Sequence, residues 1–285
     1  MITITGATGA LNGATVDHLL DRMPAAEITV VARDVAKAAR FADVGVTVRQ
    51  GDYADGQSLT SAFEGADQLL LVSSSDPAAD AVSLHRTAIE AAAAAGVGRI
   101  LYTSHQGAKI DSPFAPARDH AATEQLLAES GVPWTALRNG FYAHTVAWLM
   151  GPWRETGFIV TPGDGPVSWT AREDAAEAAA IILASDGSYD GPVTLTAGAA
   201  PTFAEIAAVA AGIIGRDVAP VVIDEEEWVA AQVAQGSPEG RARFTLGIFR
   251  AAAQGNFAGV DPLLAGLLGR EPRTVADQLA APAGR

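Results

Sequence analysis

Over its first 140 residues the chain alternates short β-branched runs with longer alanine- and leucine-rich stretches, and this alternation restricts the fold more than any other feature. It is the pattern of βαβ units and a parallel sheet. The spacing predicts strands at Ile2–Thr5, Glu27–Ala32, Val46–Arg49, Gln68–Val72, Arg99–Thr103 and Trp134–Leu137. Helices are predicted near Asn12–Arg22, Val35–Ala42, Leu59–Phe63, Ala78–Ala95 and Arg118–Ser130. Gly96 and Gly131 stand where glycine ends a helix, each followed by valine and a new strand. Six strands with right-handed helical crossovers make an α/β, doubly wound Rossmann-type domain.

Beyond about residue 150 the texture changes. Gly151-Pro152, Pro162-Gly163-Asp164-Gly165-Pro166 and Asp190-Gly191-Pro192 are turn signals between short strands and helices. Ala171–Ala184 and Phe203–Ile214 read as helices, Pro192–Thr196 and Val218–Ile223 as strands, and Val260–Arg285 as a loose helical tail. Asp224 caps a further helix whose first turn carries Glu225, Glu226 and Glu227, favourable beside the positive end of the helix dipole. The expected division is residues 1–150 for the doubly wound domain and 151–285 for a smaller α/β domain interleaved with it.

Composition narrows the function classes. Apolar residues make up 49% and charged residues 18% of 285, enough for a sizeable core. Basic minus acidic residues is 19 − 33 = −14, which repels nucleic-acid backbones and anionic membranes, so neither is expected as a partner. The absence of cysteine removes disulfides, thiolate nucleophiles and cysteine metal sites and fits a reducing cytoplasm. Met1–Thr5 has no signal-peptide character and no apolar run is long enough to span a bilayer, so a cytoplasmic protein is expected. No G-x-S-x-G elbow supports hydrolysis, and the five histidines show no metal-ligand spacing.

The strongest local signal is Thr5-Gly6-Ala7-Thr8-Gly9-Ala10-Leu11-Asn12-Gly13, between the first strand and the first helix. There a glycine-rich turn lets a diphosphate approach backbone N–H groups at a helix N-terminus. Gly6 makes the tight turn and Gly9 leaves room for phosphate, with Thr8, Ala10 and Leu11 around it. The third glycine of the usual spacing falls on Asn12, with Gly13 one place late. At the end of the second strand Arg33, with Lys37 one helical turn on, suits the 2′-phosphate of NADP, while adjacent Asp34 leaves NAD open as the alternative. Asp52 and Tyr53 after the third strand are candidates to bracket an adenine, and Ser73 and Ser74 after the fourth to bind a ribose.

Gly6-Ala7-Thr8-Gly9, Arg33, Gly51-Asp52-Tyr53, Leu70 to Ser75, Tyr102-Thr103-Ser104, Thr123-Glu124 and Leu137 to Tyr142 occur in this order. Together they resemble the NmrA-like branch of atypical short-chain dehydrogenases, most tightly over residues 1–142. The resemblance implies NADP(H) on the Rossmann domain, a C-terminal domain closing a substrate cleft, and the segment Asn139 to Tyr142 beside the nicotinamide. The chain also departs from dehydrogenase patterns. None of Tyr53, Tyr102, Tyr142 or Tyr189 has the lysine four residues later that lowers a catalytic tyrosine's pKa. Many relatives carry lysine after Thr-Glu, where this chain has Gln125.

Reduction of a quinone or a similar small aromatic substrate tolerates those losses, because hydride transfer to an electron-poor ring needs donors for the developing oxyanion more than a tuned base. Candidate donors are Tyr142, Asn139, Ser104 and His105, the last a candidate to protonate product near neutral pH. A narrower version is tailoring of an aromatic polyketide, with a partner oxygenase acting next. The alternative of a different class is a redox sensor that binds dinucleotide without turning it over and signals to a protein partner, a reading that the loss of lysine at Gln125 favours.

Overall fold

In the computed structural model, which describes residues 1–74, 79–185 and 189–280, β1 (Ile2–Thr5) and β2 (Ile28–Ala32) are buried along their whole length. Such near-continuous burial is the signature of parallel strands covered on both faces. The remaining strands are β3 (Thr47–Gln50), β4 (Gln68–Leu71), β5 (Arg99–His105), β6 (Trp134–Asn139), β7 (Phe141–Tyr142), β8 (Phe158–Thr161), β9 (Trp169–Thr170), β10 (Gly191–Leu195) and β11 (Ala219–Val222). Helices α1 (Ala10–Leu20), α2 (Ala39–Ala42), α3 (Gly56–Phe63), α4 (Ala81–Ala94) and α5 (Ala115–Glu129) supply the crossovers. They are followed by α6 (Val146–Leu149), α7 (Trp153–Thr156), α8 (Arg172–Ala184), α9 (Phe203–Ile214) and α10 (Glu225–Ala234). The last are α11 (Glu239–Ala253), α12 (Leu263–Leu268) and α13 (Val275–Ala280). The expected Ser75, the start of the Ala78–Ala95 helix and the last five residues of the tail lie outside the described residues.

The central sheet has seven parallel strands in the order β10-β6-β5-β4-β1-β2-β3. Strand order reverses between β1 and β4, and in doubly wound sheets the crevice at the carboxyl ends beside such a switch point receives the ligand. The sequence predicts six strands here; the seventh, β10, comes from beyond residue 150 and pairs with β6 from Gly191↔Thr135 to Leu195↔Asn139. Helix α8 precedes β10, and the apolar residues of α1, α8 and β10 share one buried cluster. The chain thus returns to cover what would otherwise be an open edge on β6.

Two strands run further than the sequence suggests. β5 continues to His105 and β6 to Asn139, so that His105 and Asn139 are register partners on adjacent strands. Their polar ends read as loop in the sequence, whereas the backbone ladder continues through them. The two-stranded pairs β7–β9 and β8–β11 lie beyond the main sheet, over a second core built from Phe141, Trp169, Phe203, Phe249 and Phe257. The supposed loose tail is tied down. Asp174, fully buried in the first turn of α8, accepts hydrogen bonds from the Arg273 backbone N–H (2.6 Å) and the Arg270 guanidinium (2.9 Å).

Candidate cofactor cleft and active site

The turn between β1 and α1 is shaped by close approach. Gly6 has φ +64°, and a Cβ there would stand 2.4 Å from Val72 Cγ1. Gly9 donates to the Gly6 carbonyl (2.9 Å) and is the N-cap of α1, with no side chain bonding the first-turn N–H groups. Those donors face outward at the positive end of the helix, open to an anion. The late third glycine has a structural account. Asn12 is buried, and its amide reaches back to donate to the Thr5 carbonyl at the end of β1 (2.8 Å). The close packing expected at that position falls on Gly13, where a Cβ would lie 2.8 Å from the Ala7 carbonyl oxygen.

A groove of about 570 Å3 opens over this turn at the carboxyl ends of β1, β2 and β4. It brings together Gly6, Thr8 and Gly9 from the turn, Arg33 after β2, Asp52 and Tyr53 after β3, and Ser73 and Ser74 after β4. Ala10, Leu11, Lys37 and Asn139 are not part of its lining. Arg33 is exposed and, among the described residues, has no carboxylate partner. The alternative Asp34 accepts from the Ala36 N–H (3.1 Å) through Oδ1 and caps the short turn that carries Lys37. Asp52 likewise accepts from the Ala54 N–H (3.0 Å).

Tyr53 forms part of the floor of the groove. Its hydroxyl donates to the Val72 carbonyl (2.8 Å) and meets Thr5 Oγ1 at 2.6 Å, tying the ends of β1 and β4 together. Burial raises its pKa, and the phenol stays protonated. The Ser73-Ser74 wall is held from below. The Ser73 N–H donates to Thr103 Oγ1 and the Ser74 N–H to His85 Nε2 (2.9 and 2.8 Å). Because His85 Nε2 accepts, its Nδ1 carries the hydrogen and donates to Thr123 Oγ1 (2.8 Å), which itself donates to the Asp119 carbonyl (2.8 Å). Burial pushes the His85 pKa down to about 4, so the imidazole is neutral at pH 7. Only the contact with Ser74, eleven residues away, shows what His85 holds.

At the ends of β5 and β6 the four candidate donors separate into two kinds. Ser104 is buried and gives its hydroxyl hydrogen to Glu124 Oε1 (2.6 Å). Glu124 in turn accepts from Arg138 Nε (2.9 Å) and Nη2, and this pairing raises the arginine pKa. The Ser104 hydrogen is therefore directed at Glu124, inside the protein.

Burial lowers the His105 pKa to about 4, which favours the neutral imidazole near pH 7. Its Nδ1 accepts from the Gly107 N–H (2.9 Å), leaving the hydrogen on Nε2, a buried donor with no partner. Asn139 donates through Nδ2 to the Tyr142 hydroxyl (3.3 Å), and its Oδ1 is a buried acceptor without a partner. Since the Tyr142 oxygen accepts from Asn139, its own hydrogen remains available; burial raises the phenol's pKa and keeps that hydrogen in place. Pairing of β7 with β9, Tyr142 against Thr170, fixes this segment.

Gln125 is exposed on α5 and bonds one turn on to Glu129 Oε1 (2.9 Å), so the residue replacing the relatives' lysine faces solvent. Among the described residues no group of three metal-ligating side chains is assembled, and no helix is long and apolar enough to cross a membrane.

The residues present fit a pyridine dinucleotide. Only a chain without a Cβ at Gly6 leaves the turn in place, the first-turn N–H groups of α1 suit a diphosphate, and Arg33 at the end of β2, unpaired among the described residues, suits a further phosphate. Residues 6–186 match the family model described as NAD(P)H-binding. The chain is 38% identical to quinone oxidoreductase 2 of Escherichia coli over 98% of both chains. It superposes on the crystal structure of the E. coli NADPH-dependent quinone oxidoreductase QOR2 complexed with NADPH with a TM-score of 0.91, at 36% identity over 98% of this chain and 99% of that one. Against the Citrobacter sp. triphenylmethane reductase complexed with NADP(H) the TM-score is 0.87, at 33% identity over 99% and 100% of the two chains. The chain belongs to the NAD(P)H-binding, NmrA-like family.

Proposed function

We propose that the chain is an NADPH-dependent reductase of quinones or related extended aromatic rings. The observation that carries this reading is the Asn139–Tyr142 pair, a neutral phenol whose hydrogen is left free just beyond the carboxyl end of β6, on the sheet whose carboxyl edge bears the groove. When bound, the reduced dinucleotide supplies hydride to the electron-poor ring. In this reading Gly6, Thr8 and Gly9 hold the diphosphate, Arg33 holds the 2′-phosphate, and Ser73 and Ser74 border the ribose. Tyr142 O–H and the neutral His105 Nε2–H are hydrogen-bond donors for the oxygen on which charge develops, without giving up a proton in the transition state. The final proton comes from solvent. No lysine-activated tyrosine is required, in keeping with the absence of that pair.

The relatives support the substrate class, being named for a quinone and a triphenylmethane substrate. The sensor alternative loses its main feature, because Gln125 stands in solvent rather than at the cleft. The test follows NADPH absorbance with benzoquinone, menadione and an aromatic polyketide quinone; NADPH bound but consumed with none of them refutes the reductase and returns the sensor. The narrower polyketide version rests on composition, two lysines among 19 basic residues pointing to a GC-rich source. It requires turnover of the polyketide quinone to exceed that of menadione, and an added oxygenase to consume the hydroquinone.

A further inference from the structure

A second cavity of about 330 Å3 lies away from the sheet edge, between α6, β8, α10 and the start of α11. Its walls are largely apolar and aromatic, with Trp148 from α6, Phe158 and Val160 from β8, and Trp228 from α10. Trp228 is buried and its indole N–H is already donated to the Val160 carbonyl (3.3 Å), so it turns ring and not polar atom to the cavity. Trp148 and Phe158 are 47% and 51% exposed, and large aromatics left exposed around a concavity mark a binding site.

Among the described residues one lining residue is charged, Arg241. The chain carries 33 acidic residues against 19 basic ones, yet among the described residues no carboxylate lines this cavity. Two other arginines of α11 are neutralised, Arg243 by Glu226 and Glu239 and Arg250 by Glu225. Among the described residues Arg241 has no carboxylate partner; its guanidinium lies 5.5 Å from the centre of the Trp148 ring. Such a guanidinium offers a planar fork to an anion while the neighbouring indole offers a face to an aromatic ring.

We propose that this cavity receives the distal part of the substrate, an aromatic ring system bearing a carboxylate or sulfonate, with Arg241 on the anion and Trp148 and Trp228 on the rings. The proposal rests on the reductase reading given above. From Tyr142 the chain makes one turn through residues 143–145 and enters α6, whose Trp148 and Leu149 line the cavity.

Calorimetry on the full chain with 2-naphthalenesulfonate and uncharged 2-naphthol separates the contributions. Arg241→Gln is expected to weaken the sulfonate about 10- to 100-fold, the worth of a charge-assisted hydrogen bond, and to leave 2-naphthol unchanged. Trp148→Ala is expected to weaken both. In turnover, Arg241→Gln is expected to raise KM for 9,10-anthraquinone-2-sulfonate, whose anion lies on a flanking ring, by a similar factor while leaving uncharged 9,10-anthraquinone as it was. Equal sulfonate affinity in wild type and Arg241→Gln overturns the ligand class, and an unchanged KM for the sulfonated quinone overturns the substrate assignment. Arg241-dependent binding without NADPH consumption by any quinone leaves the ligand class standing and refutes the reductase reading instead.

Discussion

Removing the Arg33 side chain is expected to separate the two coenzymes. Arg33 lines the groove at the end of β2, is exposed, and has no carboxylate partner among the described residues, so Arg33→Ala breaks no native ion pair and leaves stability unchanged. A hydrogen bond to a charged group is worth about 1.5–3 kcal/mol, and solvent around this side chain places the value near the lower end. At about 1.5–2 kcal/mol the Kd for NADPH rises roughly 10- to 30-fold, since each 1.4 kcal/mol is tenfold. NADH lacks the 2′-phosphate and keeps its affinity. Titration of both coenzymes by calorimetry, with a thermal melt of each variant, reads the outcome. Equal weakening of NADPH and NADH would refute the 2′-phosphate assignment. Lys37→Ala, outside the groove lining, is expected to weaken NADPH less than Arg33→Ala.

Tyr142→Phe removes one donor and nothing from the dinucleotide groove; kcat with menadione is expected to fall about 100-fold with the NADPH Kd unchanged, and undiminished kcat removes Tyr142 from the chemistry. Restoring the usual glycine spacing with Asn12→Gly is expected to destabilise by about 1–3 kcal/mol, because the Thr5 carbonyl loses its buried donor, and Gly13→Ala by a similar amount through the 2.8 Å approach to Ala7. A neutral Asn12→Gly in urea unfolding shows the spacing itself to matter and not the contact. Stability is expected to fall on acidification: His85 and His105 titrate at 6.5 when unfolded and at about 4 when folded, so the unfolded chain binds more protons between those values. Stability contributed by the neutral imidazoles is complete above pH 6.5 and is lost toward pH 4. Urea unfolding at pH 7.5 and 4.5 checks it, with His85→Gln showing the smaller fall and a pH-independent midpoint refuting the assignment.

Strand and helix periodicity made the doubly wound sheet legible, because parallel strands buried on both faces must be short, apolar and separated by helices. The β1–α1 turn was legible for a related reason, since only glycine permits the backbone geometry at Gly6. Arg33 could be placed because its position depends on local distance from the end of β2. What depends on contacts between distant segments could not be read. That β10 joins β6, that Asp174 anchors residues 270–273 and that His85 holds Ser74 are each set by packing across tens of residues or by a single hydrogen bond. The same holds for the chemistry at β5 and β6. Ser104, His105, Asn139 and Tyr142 are all donors by residue type, and a residue type does not say where its hydrogen goes. Tertiary structure decided that, by setting Glu124 against Ser104, Gly107 against His105 Nδ1 and Asn139 against Tyr142, and by burying the imidazole until its charged form was lost.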